Sequence, residues 1–233
     1  MKIQFLGHSA CLVSSKDKVW AIDPWLSGNP ACPDSLKEPS KIDYIVLTHG
    51  HADHAGEASS LAKKYGSKIF AIYELGLLMM QEGVPESHIV LMNKGGTIEE
   101  GDFSVTLTHA FHSSGYERNG EILYAGEACG VVLKTPETTI YHAGDTALFS
   151  DMELISYRFS PEVCILPIGD RFTMGPEDAV EAVAILQSPV VIPVHHSTFP
   201  FLTGTPAEFK RLVEKDGLDS SVVELKPGEF YER

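Results

Sequence analysis

The chain has no cluster of basic residues. Lysine and arginine number 18 against 32 aspartates and glutamates, a formal net charge of −14 at pH 7, and the densest cationic pair, Lys63–Lys64, reads as a solvated helix face. A protein that coats nucleic acid or anionic lipid needs clustered Lys and Arg, so the acidic balance argues against both classes. No stretch approaches the ~18 consecutive apolar residues of a membrane span. The four cysteines, Cys11, Cys32, Cys129 and Cys164, lie far apart with no C-x-x-C pair. They read as free thiols in a reducing compartment rather than a disulfide framework. The opening residues MKIQFLGHSACLVSS lack the continuous apolar core of a secretory leader, because His8 interrupts them. The expectation is a cytoplasmic protein. No internal repeat, low-complexity tract or linker divides the 233 residues, and 43% apolar content suits one domain, residues 1–233, with a sizeable core.

What is present alternates. Short runs rich in apolar or β-branched residues predict strands at Lys2–Leu6, Cys11–Ser14 and Lys18–Trp25. An irregular stretch from Trp25 to Lys41 follows, with Gly28, Asn29, Pro30, Pro33 and Pro39. Ile42–Thr48 is almost continuously apolar, as a strand covered on both faces should be. Ala55, Ala58, Leu61, Ala62 and Tyr65 carry helical spacing closed by Gly66. Further strands are expected at Ser67–Ile72, Ile89–Met92, Phe103–His109, Gly130–Lys134, Thr138–His142, Glu162–Leu166, Val190–Val194 and Ser221–Leu225. Helices are expected around Leu75–Gln81, from Pro176 through Leu186, and after the capping box Thr205-Pro206-Ala207-Glu208. Gly95-Gly96 reads as a hairpin turn; no lysine or helix start follows to make it a phosphate cradle. The alternation implies an α/β architecture with one or two sheets between helices, and periodicity alone does not choose between them.

The chemistry concentrates at His49-Gly50-His51-Ala52-Asp53-His54, four metal-ligand side chains in six residues between a buried strand and a helix. Side chains at such a corner converge without disturbing the core. Imidazole and carboxylate together suit Zn²⁺, Mn²⁺ or Fe²⁺. Small Gly50 and Ala52 let the loop fold around an ion. With ten histidines in 233 residues, three within six positions are not incidental. Other candidates recur just after predicted strands: His109 or His112, Asp145, and the adjacent pair His195 and His196. Together they suggest a common rim.

These residues resemble the metallo-β-lactamase superfamily, whose H-x-H-x-D-H signature is met by His49, His51, Asp53 and His54. The phrases YHAGDT, LPIGDRFTMGPEDA and PVHHSTFP are similar to its branch of small metal-dependent hydrolases related to ascorbate-phosphate lactonases. The resemblance spans nearly the whole chain and implies a four-layer αββα sandwich, α/β (α+β) in class. The site would lie along one edge of the paired sheets, with two divalent ions, Zn or Mn first and Fe or Ni as alternatives. It further implies that His49, His51 and His112 hold the first ion, that Asp53, His54 and His195 hold the second, and that Asp145 bridges them. Family position selects His112 over His109 and His195 over His196. A water shared between two dications loses a proton near neutral pH and becomes the nucleophile, with Asp53 placed to orient it.

Other residues carry weaker claims. His8, Asp170 and His196 are candidate substrate groups, each balanced by a plain reading: a structural hydrogen bond, a turn-forming Asp, and a residue behind the ligands. Trp25, Phe111, Tyr116, Phe172 and Phe199 either line a substrate pocket or simply pack, while His88 and His142 read as structural. The expected function is a dinuclear metal-dependent hydrolase using a bridging hydroxide on a small ester, lactone or phosphoester. The alternatives are an iron-dependent oxidoreductase of the same fold and a non-catalytic metal-binding protein. The expected partner is a small-molecule substrate, an anionic one included, with nucleic acid and membrane disfavoured. A homo-oligomer is as compatible with the sequence as a monomer.

Overall fold

In a computed structural model, which describes residues 1–233, the chain starts with an antiparallel meander. Strand β1 (Lys2–Phe5) buries Ile3 and Phe5 and leaves Lys2 and Gln4 half-exposed, the alternation of a sheet with one face on the core. It pairs with β2 (Cys11–Ser15), which pairs with β3 (Lys18–Ile22) across a two-residue turn at Lys16-Asp17. From there the connections become parallel crossovers: β4 (Tyr44–Val46), helices α1 (Ala52–Ala55) and α2 (Ala58–Tyr65), β5 (Lys68–Ile72), helix α3 (Tyr73–Gln81) and β6 (Ile89–Met92).

The second half repeats the scheme. Strands β7 (Thr97–Glu100) and β8 (Phe103–His109) are followed by an outlying hairpin, β9 (Gly115–Arg118) with β10 (Glu121–Tyr124), and by β11 (Cys129–Lys134) and β12 (Thr139–His142). After helix α4 (Met152–Phe159), β13 (Val163–Pro167), α5 (Pro176–Leu186), β14 (Val190–Val194), α6 (Pro206–Lys215) and β15 (Ser221–Val222) extend that sheet in parallel. Strand β16 (Phe230–Glu232) crosses back to pair with β1. The result is two seven-stranded mixed sheets, ordered β16-β1-β2-β3-β4-β5-β6 and β15-β14-β13-β12-β11-β8-β7.

Alternation along the inner strands sets the layers. Val163 and Ile165 of β13 face the large core between the sheets, where they join Phe5, Val13 and Trp20 of the opposite sheet. Their neighbours Cys164 and Leu166 face a second core built with Met152, Val183 and Phe209 of the outer helices. Helices α2 and α3 cover the first sheet and α4 to α6 the second, giving the αββα sandwich. No helix is long and apolar enough to cross a membrane.

The structure differs from the sequence expectations in several places. The helix expected from Ala55 begins at Ala52, with His51 extended ahead of it, and breaks at Gly56-Glu57. Asp53 and His54 therefore project from a helical turn rather than from the loop before it. The break frees Glu57, whose carboxylate accepts from the backbone N–H of Ser27 and of Gly28. Gly95-Gly96 is a turn, but it links β6 to β7 in different sheets and so closes no hairpin.

Candidate metal centre

The chemistry-bearing residues lie just past strand C-termini, along one edge of the two sheets. His8 follows β1, Asp23 follows β3 and the His49–His54 segment follows β4; from the other sheet come His112 after β8, Asp145 after β12 and His195 after β14. Backbone bonds lock the sheets together here: His195 N–H donates to His8 O at 2.6 Å, and Cys129 N–H to Thr48 O at 2.9 Å. The His112 and Asp145 loops are tied by Phe111 N–H donating to Thr146 Oγ1 at 2.9 Å. His8, Asp23 and His195 have left-handed backbones, with φ of 56°, 47° and 54°. Such conformations cost about 1–3 kcal/mol each in non-glycine residues and persist where the surroundings over-determine them. Gly169 allows one of the close approaches, because a β-carbon there would sit 2.0 Å from His195 O.

Asp145 is the hub. Its Oδ2 lies 3.2 Å from His195 Nε2, 3.4 Å from His54 Nε2, 3.6 Å from His112 Nε2 and 3.9 Å from His49 Nε2. Two groups of donors converge on either side of it: His49, His51 and His112 on one, and Asp53, His54 and His195, with His8 close by, on the other. In the first group the three rings meet edge to face, with centroids 4.6–5.1 Å apart, and one nitrogen of each lies within 4.8 Å of the others. His49 Nε2 and His51 Nδ1 come within 3.0 Å of each other.

A buried network behind the donors fixes their orientation. Asp23, fully buried, accepts from Thr48 N–H at 2.8 Å, from the Thr48 hydroxyl at 2.5 Å and from His54 Nδ1–H at 2.8 Å. That last bond puts the His54 proton on Nδ1 and leaves the Nε2 lone pair facing Asp145, the arrangement typical of a metal-binding histidine. His8 plays the matching part for Asp53, donating Nε2–H to Oδ2 at 2.9 Å while Nδ1 accepts from Thr198 Oγ1 at 3.0 Å.

Electrostatics sort the site into neutral imidazoles and ionised carboxylates. Burial holds His49 well below the ordinary histidine range and lowers His51 and His112. Burial drops His8 to about 4 against the pull of its bond to Asp53. Burial pushes the Asp145 carboxyl up, but His54 and His195 outweigh it and hold it well below the usual range. Burial also pushes Asp53 up, and the bond from His8 with the neighbouring His54 more than offsets it. His54 is the exception: burial lowers it, but Asp145 and Asp23 on either side raise it well above the ordinary value. Two buried carboxylates thus create a demand for positive charge at His54 Nε2.

A metal fits this donor set. His54 Nε2 and Asp145 Oδ1 are buried polar atoms without a hydrogen-bond partner in the protein. An unsatisfied buried group costs about 1–3 kcal/mol, more when charged, and coordination removes that cost. Neutral imidazole nitrogens with carboxylate oxygens are the ligand chemistry of Zn²⁺ and its first-row neighbours.

Seven of the sequence candidates, His49, His51, Asp53, His54, His112, Asp145 and His195, share this one cluster. His109 does not; its Nδ1 faces Lys94 Nζ at 3.1 Å. His196 is buried against Phe5, with Nδ1 on Ser197 Oγ and Nε2 unpartnered. Asp170 is exposed after β13 and its Oδ2 accepts from Thr203 Oγ1 at 3.4 Å. His142 is buried and bonds Ser9 O. Asp23 is the functional residue the sequence reading missed. Its signal was a charged residue closing the apolar run of β3, at a position where only a partnered carboxylate can be buried.

Comparison with known proteins places these features in a group. A family model described as a beta-lactamase superfamily domain matches residues 20–196. A metal-dependent hydrolase of Koribacter versatilis is 46% identical over 99% of this chain and 97% of its own length. One of Methanopyrus kandleri is 45% identical over the full length of both. Among solved structures, a metallo hydrolase from the hyperthermophilic archaeon Ignicoccus hospitalis superposes with a TM-score of 0.88 at 35% identity, covering 100% of this chain and 98% of that one.

Proposed function

The chain belongs to the metallo-β-lactamase superfamily, in its branch of small metal-dependent hydrolases, and on that footing we propose that it is a dinuclear hydrolase of small esters, lactones or phosphoesters. The observation that carries this reading is the position of Asp145, one buried carboxylate oxygen within 3.9 Å of imidazoles from both donor groups. His49, His51 and His112 would hold one divalent ion, Asp53, His54 and His195 the other, and Asp145 would face both. A carboxylate between two dications offsets their repulsion. Zinc or manganese suits the donors best, with iron or nickel as alternatives.

When bound, such a pair lowers the proton affinity of water and polarises a carbonyl or phosphoryl oxygen. The protein's own share is orientation. Asp53, a third exposed where Asp145 is buried, is the carboxylate of the set that meets solvent. Its Oδ2 is taken by His8 and its proton affinity is depressed. It therefore accepts a hydrogen bond from the attacking water at Oδ1 and fixes the direction of attack, without keeping the proton. His8 acts from behind Asp53, and exposed Asp170 is the candidate for direct substrate contact, while His196, packed on Phe5 and bonded to Ser197 Oγ, makes no hydrogen bond to His195. The substrate is a small molecule, and a reducing cytoplasm would suit the four free, buried cysteines.

A hydrolysis screen of metal-replete protein against ester, lactone, phosphomonoester and phosphodiester substrates tests the reading. Metal-dependent turnover in one of these classes is expected. Full metal loading with no turnover in any class would refute it in favour of a binding protein. Iron as the resident metal, with a visible absorption band and no hydrolysis, would favour the oxidoreductase.

A further inference from the structure

A row of aromatic rings that the chemistry above leaves unused runs outward from His8 beside the centre. The indole of Trp25 stands edge-on to His8, with centroids 5.3 Å apart, and Phe199 stands edge-on to His8 at 5.8 Å. Phe199 faces Trp25 at 6.2 Å with 29° between planes, Phe201 stacks on Phe199 at 5.2 Å with 14° between planes, and Phe172 meets Phe201 edge to face at 5.8 Å. The row thus starts at the histidine bonded to Asp53 and runs outward. Its outer rings stay in water, Phe172 at 51% and Phe201 at 40% exposure. Single exposed rings need no explanation, but contiguous ones beside a catalytic centre mark a surface that a ligand covers.

Arg171 closes the row. Its guanidinium carbon lies 5.0 Å from the Phe201 centroid and 5.4 Å from that of Phe172, inside the range of a cation–π contact. It forms no ion pair, in a chain where acids outnumber bases 32 to 18. Asp170 and Arg171 both adopt left-handed backbones, φ 63° and 61°, held by Asp170 N–H to Met174 O at 3.0 Å and Phe172 N–H to Asp170 O at 2.7 Å. The other end is built as firmly. A β-carbon on Gly28 would lie 2.6 Å from Trp25 Nε1, so the indole rests against a bare α-carbon, in the loop that Glu57 pins.

We propose that this row is the specificity wall of the hydrolase. It takes a substrate whose flat, apolar portion lies along Trp25, Phe199 and Phe201, whose carboxylate pairs with Arg171, and whose scissile bond falls at the metal end. The inference rests on the hydrolase reading, and a binding measurement separates the two. Quenching of tryptophan fluorescence is compared for 4-nitrobenzoate and neutral 4-nitrobenzyl alcohol on metal-replete protein. The carboxylate is expected to bind about tenfold more tightly. Arg171→Gln should narrow that ratio to near unity, and Phe201→Leu should weaken both ligands. A ratio that survives Arg171→Gln overturns the proposal, because the carboxylate then binds elsewhere, the metal included.

Turnover supplies the second arm. The kcat/KM ratio of 4-acetoxybenzoate to phenyl acetate should fall about tenfold in Arg171→Gln, through KM rather than kcat. Binding that depends on Arg171 without hydrolysis of any ester class would support the wall and refute ester hydrolysis. Hydrolysis with a ratio unchanged in Arg171→Gln would keep the enzyme and refute the wall.

Discussion

Replacing Asp23 by Asn keeps the shape of the side chain and removes one charge and one acceptor. The wild-type carboxylate is surrounded by donors: Thr48 N–H on Oδ1, and the Thr48 hydroxyl and His54 Nδ1–H on Oδ2. An amide offers one oxygen. If that oxygen faces Thr48 N–H, the NH₂ faces His54 Nδ1, and the imidazole must move its proton to Nε2, the nitrogen turned toward Asp145. If the amide flips, it sets NH₂ against a backbone N–H instead. The first orientation takes away the free Nε2 of His54, and the second keeps it only by setting two donors against each other at Thr48 N–H. Loss of a carboxylate behind a ligating histidine costs about 10- to 100-fold in metal affinity, roughly 1.4–2.7 kcal/mol. Competition with a chromogenic chelator measures this directly, and circular dichroism of the metal-free protein confirms folding. A folded Asp23→Asn protein that binds metal within twofold of wild type would refute the orienting role of Asp23.

Two further expectations follow from the same geometry. Gly169→Ala drives a β-carbon to 2.0 Å from His195 O, and the resulting overpacking should cost about 1–3 kcal/mol in denaturant unfolding and weaken metal binding with it; unchanged stability would show that the two loops can part freely. The cysteines should be inert in the native protein. Burial pushes the Cys32 thiol up to about 11, a thiolate fraction of about one in a thousand at pH 8, and raises the other three as well. Ellman's reagent should therefore read none of the four until denaturant is added.

Much of the centre was legible because its ligands crowd into His49–His54, where the chemistry of six residues outweighs any packing explanation. His112, Asp145 and His195 are single residues after strands, and only a shared fold brings them to one point. The role of Asp23, and Asp53 as the partner in the hydrogen bond weighed for His8, were not legible. Asp23 and His8 each act through another side chain supplied by a different element, which sequence order does not show.

In the fold, continuous apolar runs such as Ile42–Thr48 and Val190–Val194 announced the inner strands. The edge elements were harder: β7 reads TIEE, half of it exposed, and has no apolar alternation to find. The hairpin β9–β10 did carry a signal, Asn119-Gly120 with both residues left-handed, but its strands are only four residues each, and EILY leaves Ile122 and Tyr124 exposed instead of adding them to a core. Helix α4, eight residues long, has just two buried side chains, Met152 and Ile155. The split into two sheets was invisible to periodicity, because β6 and β7 are joined by a turn of the kind that usually links partners in one sheet.

If two donor groups share Asp145 to hold a pair of divalent ions, metal counted per chain in reconstituted, desalted protein should differ between the wild type and Asp145→Ala. Two ions per wild-type chain are expected, with the loss of at least one in the variant. One ion or none in the wild type, or two retained after Asp145→Ala, would contradict that sharing.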